Sequence, residues 1–128
     1  MREGVVLLAH GSKRQEANQE IGSLLSDIQN RDPEGIYELA LMSFGPPGIP
    51  DAIGRLAARG VERIVVMPLF LVTGNHIHHD IPDLLLHEKA RYPEVEFVMA
   101  RHLAGHPGLI NIVLDRILES SNGKRVQQ

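Results

Sequence analysis

The chain has 128 residues, a length that suits one domain. Hydrophobic residues make up 43% and aromatics 4%, with no Trp, so a real but aliphatic core is expected. The formal net charge of -3 gives no electrostatic case for nucleic acid, and the absence of Cys excludes disulfides, thiolate metal sites and cysteine nucleophiles.

Residues 1–4 lead directly into a short apolar run, too short for the core of a signal peptide. No stretch approaches the roughly 20 apolar residues of a membrane span, so the sequence reads as a soluble cytoplasmic protein. Four strand-like runs, at roughly 4–9, 37–43, 63–69 and 94–100, alternate with four helical segments. The first helix is expected to open on Ser12 and Gln15, which have capping-box spacing. Ala17, Ile21, Leu24, Leu25 and Ile28 supply its apolar face, and Pro33 and Gly35 its stop. The second helix begins near Pro50, buries Ile49, Ile53, Leu56 and Ala57, and ends at Gly60. The third is expected to start at Asp80 as N-cap, with Pro82 in its first turn, and to stop before Pro93. The fourth starts around Pro107 and carries Leu109, Ile112, Val113 and Ile117. A polar tail over 121–128 follows a single domain over 1–120.

Near-continuous apolar strands in a βαβαβαβα order predict a four-stranded parallel sheet covered on both faces. The fold class is an α/β three-layer sandwich of flavodoxin- or Rossmann-like order. Ligands of such sheets bind beyond the carboxyl ends of the strands, at the switch point. Histidines populate three of the four strand-to-helix junctions, and of the seven only His87 falls within a helix. His10 follows the first strand in His10-Gly11-Ser12, and His76 follows the third in Gly74-Asn75-His76-Ile77-His78-His79-Asp80. If those strands are neighbours, two imidazoles from distant sequence meet over one crevice, and neutral imidazole is a good ligand for Co, Ni, Fe and Zn. His78 and His79 read as solvated loop residues. Ser12 reads as a cap, because no Gly-x-Ser-x-Gly elbow surrounds it. No dinucleotide fingerprint or P-loop follows the first strand, so a nucleotide site is disfavoured. Lys13 and Arg14 at the first helix, and Arg101 after the fourth strand, are candidate partners for ligand carboxylates.

Leu7-Leu8-Ala9-His10-Gly11-Ser12, Pro68-Leu69-Phe70-Leu71, Gly74-x-His76-x-x-x-Asp80-Ile81-Pro82 and His102-Leu103-x-x-His106-Pro107 together resemble the small sirohydrochlorin chelatases of the cobalt-inserting type. The resemblance runs from the first strand through the fourth helix. It implies a class II chelatase fold, a divalent metal as substrate (Co²⁺ first, Ni²⁺ or Fe²⁺ otherwise) and no organic cofactor. It further implies a tetrapyrrole partner, a homodimer, and His10 and His76 as the catalytic, metal-contacting pair. At Leu41-Met42-Ser43-Phe44-Gly45 the chain departs from the family, which usually carries Glu where Ser43 stands; Ser43 is thereby a residue of the expected binding site.

Metal insertion replaces two pyrrole N–H protons with one divalent cation, so it needs a metal donor and a proton acceptor on one face. Imidazole, with an ordinary pKa of about 6.5, serves as both. Two protein ligands completed by water would release the ion more readily than a closed four-ligand site. A non-catalytic metal or tetrapyrrole carrier is the alternative that the Ser43 departure favours. A metal-dependent hydrolase is weaker still, because no set of carboxylate ligands clusters at this edge.

Overall fold

A computed structural model describes residues 1–72 and 74–121, with the backbone alone described for Asn75, His76 and Ile77. The expected 121–128 tail therefore lies, beyond Ser121, outside the described residues. The elements run β1 (Glu3–Ala9), α1 (Gln15–Arg31), β2 (Tyr37–Leu41), α2 (Ile49–Ala58), β3 (Arg63–Pro68), α3 (Asn75–Arg91), β4 (Glu96–Met99) and α4 (Pro107–Ser121). All pairings are parallel, in the order β2-β1-β3-β4. The expected α/β class and flavodoxin-like order are thus observed. No helix among the described residues is long and apolar enough to cross a membrane.

The chain moves one way across the sheet from β1 to β2 and the other way from β2 through β3 to β4. Right-handed crossovers therefore put α1 on one face and α2 and α3 on the other. The second of these faces holds the main core. Val6, Leu8, Ala40, Ile64 and Val66 alternate out of the strands and pack with Ile49, Ala52, Ile53 and Leu56 of α2 and Ile81 and Leu85 of α3. Pro50 sits in the first turn of α2, where its missing N–H leaves no bond unmade, and Asp51 accepts the Gly48 N–H at 3.1 Å. Glu88 of α3 is 1% exposed and is neutralised by Arg91, whose Nη1 approaches its carboxylate at 3.3 Å.

The opposite face is covered unevenly. Leu7, Ala9 and Leu41 are buried on the α1 side of the sheet. Toward β3 and β4 the same face stays open: Val65 and Met67 are half-buried and Val98 is 37% exposed. The stripe Leu109, Ile112, Val113 and Ile117 does not cover it, because no residue of α4 is buried. The helix expected from about Pro107 is observed, and the expectation of a sheet covered on both faces is corrected at this end. Periodicity identifies an apolar face, but that face of α4 stays in solvent.

Two further expectations are corrected. The cap of α1 is Arg14 rather than Ser12, and no side chain caps it. Ser12 is instead held two residues before that cap by Asn18, which accepts its N–H at 2.9 Å and donates to its carbonyl at 2.8 Å. Likewise α3 starts at Asn75, five residues before Asp80, so Pro82 lies inside the helix and not in its first turn. A proline removes one helical N–H, and the turn preceding it is retained here with His78 N–H donating to the Gly74 carbonyl at 3.2 Å.

Leu56 is fully buried beneath the sheet, so Leu56→Ala should lower unfolding free energy by about 2–5 kcal/mol in a denaturant titration. An unchanged midpoint would contradict this packing. Gly11 has φ +83, and a Cβ there would run into the Ser43 carbonyl oxygen. Gly11→Ala should accordingly cost about 1–3 kcal/mol in the same titration, and a neutral result would show that the turn can relax.

Candidate functional site

The carboxyl ends of β1 and β3 adjoin at the point where the strand order reverses. Pairing continues past the strands themselves: Leu69 N–H donates to the Leu8 carbonyl at 2.8 Å. This brings Phe70 under the first turn. The His10 ring lies 4.1 Å from the Phe70 ring, centroid to centroid, tilted by 48°. Phe70 is buried and His10 is exposed, so the imidazole is braced from below while its nitrogens stay accessible to solvent and ligand. A recess of ≈ 290 Å³ opens beside it, lined by His10, Ser12, Asn18 and Leu69 among others.

The end of β2 closes against the same turn. Met42 N–H donates to the Ala9 carbonyl at 2.9 Å, and Ser43 N–H to the His10 carbonyl at 3.0 Å. Ser43 therefore stands beside His10 through the backbone. Phe44 follows at φ 65, a conformation that costs a bulky side chain energy, and its ring is 55% exposed. The Lys13 ammonium lies 5.7 Å from that ring centroid, within cation–π range.

The β4–α4 connection joins this edge as well. Leu103 N–H donates to the Phe70 carbonyl at 3.0 Å and Ala104 N–H to the Leu71 carbonyl at 2.8 Å. Arg101 is exposed on that connection. Arg14, at the mouth of α1, pairs loosely with Glu16 at 3.9 Å with both side chains in solvent, which is worth little and leaves the guanidinium available. Lys13, Arg14 and Arg101 thus occupy the strand-to-helix edge of the sheet.

His76 enters in the first turn of α3, and its side chain lies outside the described residues. His78 and His79 are exposed, with rings 6.1 Å apart and nearly perpendicular, so they are solvated as expected, but with His76 they lie within α3 and not in a loop, because the helix starts at Asn75. His106 has a structural task the sequence did not reveal: its Nδ1 accepts the Gly108 N–H at 2.9 Å at the start of α4. Asn18, which clamps the Ser12 turn, was also missed. Among the described residues no group of three or more His, Asp or Glu gathers as a closed metal site. Leu71, Val72, Leu103 and Phe44 form an exposed apolar rim on the loops that follow the strands.

Comparison with known proteins places this edge in context. The CbiX family model matches residues 4–120. The sirohydrochlorin cobaltochelatase of Methanococcus aeolicus is 30% identical over 138 aligned positions, covering 89% of this chain and 96% of the relative. The chloroplastic sirohydrochlorin ferrochelatase of Arabidopsis thaliana is 31% identical over 115 residues, covering 90% of this chain and 51% of the relative. The chain therefore spans about half the length of some curated relatives and nearly all of others. In fold it is similar to the sirohydrochlorin chelatase of Bacillus subtilis subspecies spizizenii in complex with cobalt, with a TM-score of 0.86 and 24% identity, over 93% of this chain and 51% of that one. It is equally similar to a cobalamin biosynthesis CbiX protein from Marinobacter aquaeolei, with a TM-score of 0.83 and 24% identity, over 95% and 99%. The family resemblance carried by the histidine motifs is thereby established: the chain belongs to the CbiX family of small sirohydrochlorin chelatases.

Proposed function

We propose that this chain inserts a divalent metal, cobalt first, into sirohydrochlorin, with His10 and His76 as the metal-contacting pair. The carrying observation is the parallel pairing of β1 with β3, which sets the His10 turn beside the segment that leads into His76. Cobalt is favoured because the Methanococcus aeolicus relative, matched along nearly its whole length, is a cobaltochelatase, whereas the Arabidopsis thaliana relative is a ferrochelatase. Imidazole binds either ion, so cellular supply decides between them.

In this reading the exposed His10 ring, with water completing the shell, presents the cation to the macrocycle. The apolar rim of Phe44, Leu71, Val72 and Leu103 receives the face of the tetrapyrrole, and Lys13, Arg14 and Arg101 meet its peripheral carboxylates. As the metal enters, two pyrrole N–H bonds break and both protons pass to the imidazoles or to water. The buried Phe70 ring limits tilting of His10, which holds the donor nitrogen in place during transfer. The protein works in the cytoplasm as a homodimer, the state that the family resemblance implies.

A second reading has a specific residue in its favour. Ser43 adjoins His10 where the family usually carries Glu, and a hydroxyl supplies no carboxylate base. A carrier that holds metal or tetrapyrrole without turnover would accept that change.

His10→Ala and His76→Ala, each checked for folding, should lower the rate of Co²⁺ insertion by about 100-fold or more, followed by absorbance with sirohydrochlorin in excess over protein. Unchanged rates in both variants would sink the assignment. Stoichiometric binding with no turnover in the unaltered chain would select the carrier. Ser43→Glu should raise turnover if proton removal is limiting, and the same assay with no gain would assign that step to the imidazoles alone.

A further inference from the structure

Beyond β1 the first turn loses its strand partners one bond at a time. Leu69 N–H donates to the Leu8 carbonyl, Met42 N–H to the Ala9 carbonyl and Ser43 N–H to the His10 carbonyl. Among the described residues no neighbouring strand reaches Ser12. Between His10 and Ser12 stands Gly11 at φ +83, and glycine is the residue most free to change its conformation. A turn of this kind keeps one shape only if it is anchored on both sides.

Packing of α1 does not supply the second anchor, because none of its residues is buried. Asn18 supplies it. Its side chain runs back toward the start of the helix, the direction helical side chains take, and reaches past the cap at Arg14. A carboxamide carries an acceptor and a donor in one plane, which matches the N–H and C=O of a single residue. The Ser12 N–H donates to Asn18 Oδ1 at 2.9 Å, and Asn18 Nδ2 donates to the Ser12 carbonyl at 2.8 Å. Asn18 thus plays the part of the missing strand. Both bonds are partly shielded from water, beside the recess that His10, Gly11 and Ser12 also line, and such shielding strengthens them. The Ser12 hydroxyl completes the link by accepting the Arg14 N–H at 3.0 Å.

We propose that Asn18 is a positioning residue for metal transfer: it locks the backbone of Ser12 and so, across Gly11, fixes the His10 imidazole against Phe70. This rests on His10 as a metal ligand, as in the proposed function. Asn18 acts through the turn, without touching the ion or the macrocycle. Its effect therefore falls on the metal donor more than on the cations at the mouth of α1. A displacement of about 1 Å at a reacting group costs up to about 100-fold in rate. The flexible arms of Lys13 and Arg14 follow such a shift and keep their hold on a carboxylate.

Asn18→Leu keeps the side-chain volume and Asn18→Ala does not. Both remove the clamp, and both introduce a better helix former, so α1 is retained. In each variant, checked for folding, kcat for Co²⁺ insertion should fall by about tenfold or more, while the dissociation constant of metal-free sirohydrochlorin stays within about twofold. The His10 ring resonance should need about tenfold more Co²⁺ to broaden than in the unaltered chain. A side chain that served packing alone would keep both readouts unchanged in Asn18→Leu, and that result would overturn the role of Asn18. Loss of sirohydrochlorin affinity in place of kcat would overturn it as well. An unaltered chain without turnover would end the chelatase reading by itself, and the Co²⁺ broadening then decides: a shifted His10 response in Asn18→Leu upholds the clamp and an equal response overturns it. A His10 ring that Co²⁺ leaves sharp in the unaltered chain would overturn the inference together with the ligand assignment.

Discussion

Parallel pairing of β1 with β3 is the constraint from which the rest of the site follows. Val6 faces Val66 and Leu8 faces Pro68 in register, and the Leu69 N–H carries the ladder one step past the end of β3. That last step lodges the Phe70 ring under the imidazole of His10. The same ladder holds Met42 and Ser43 to the Ala9 and His10 carbonyls from the other side. The loop is therefore not free to wander, since the His10 carbonyl is claimed by the segment after β2 and the end of β1 by the segments after both β2 and β3. Gly11 is the conformational cost: its positive φ and the approach of the Ser43 carbonyl leave no room for a Cβ.

A metal-inserting enzyme must hold its ion firmly enough to orient it and loosely enough to release it. Among the described residues no group of three or more His, Asp or Glu gathers, and the His10 ring is open to solvent. In the proposed function Lys13, Arg14 and Arg101, exposed along the strand-to-helix edge, would attract a polyanionic substrate. Under the proposed function Ser43 would leave the proton-accepting work to imidazole and water, and it divides the catalytic reading from the carrier reading.

Much of this was legible in the sequence. Runs such as Val5-Val6-Leu7-Leu8-Ala9 and Ile64-Val65-Val66-Met67 are apolar on both faces, and that signature identifies buried parallel strands without reference to any relative. The histidines at the strand ends could be read as an edge for the same reason. Capping was less legible. Ser12 and Gln15 have the right spacing, yet Asn18 competes for the Ser12 backbone and moves the helix start. Asp80-Ile81-Pro82 looks like a helix entrance because proline usually stands in a first turn, but α3 already has a turn before it. For α4 the pattern correctly gave an amphipathic helix and said nothing of which body covers it. Periodicity specifies that a face is apolar, and only tertiary or quaternary structure specifies its partner.

The central claim is that His10 and His76 share one metal ion at the β1–β3 edge. Titration of Co²⁺ into protein with ¹⁵N-labelled histidine, followed by imidazole resonances, tests it most directly because a paramagnetic ion broadens its own ligands first. The account predicts that the His10 and His76 rings are lost together at low metal, while those of His78, His79, His87, His102 and His106 persist. Early loss of His78 and His79 with a sharp His10 resonance would contradict it.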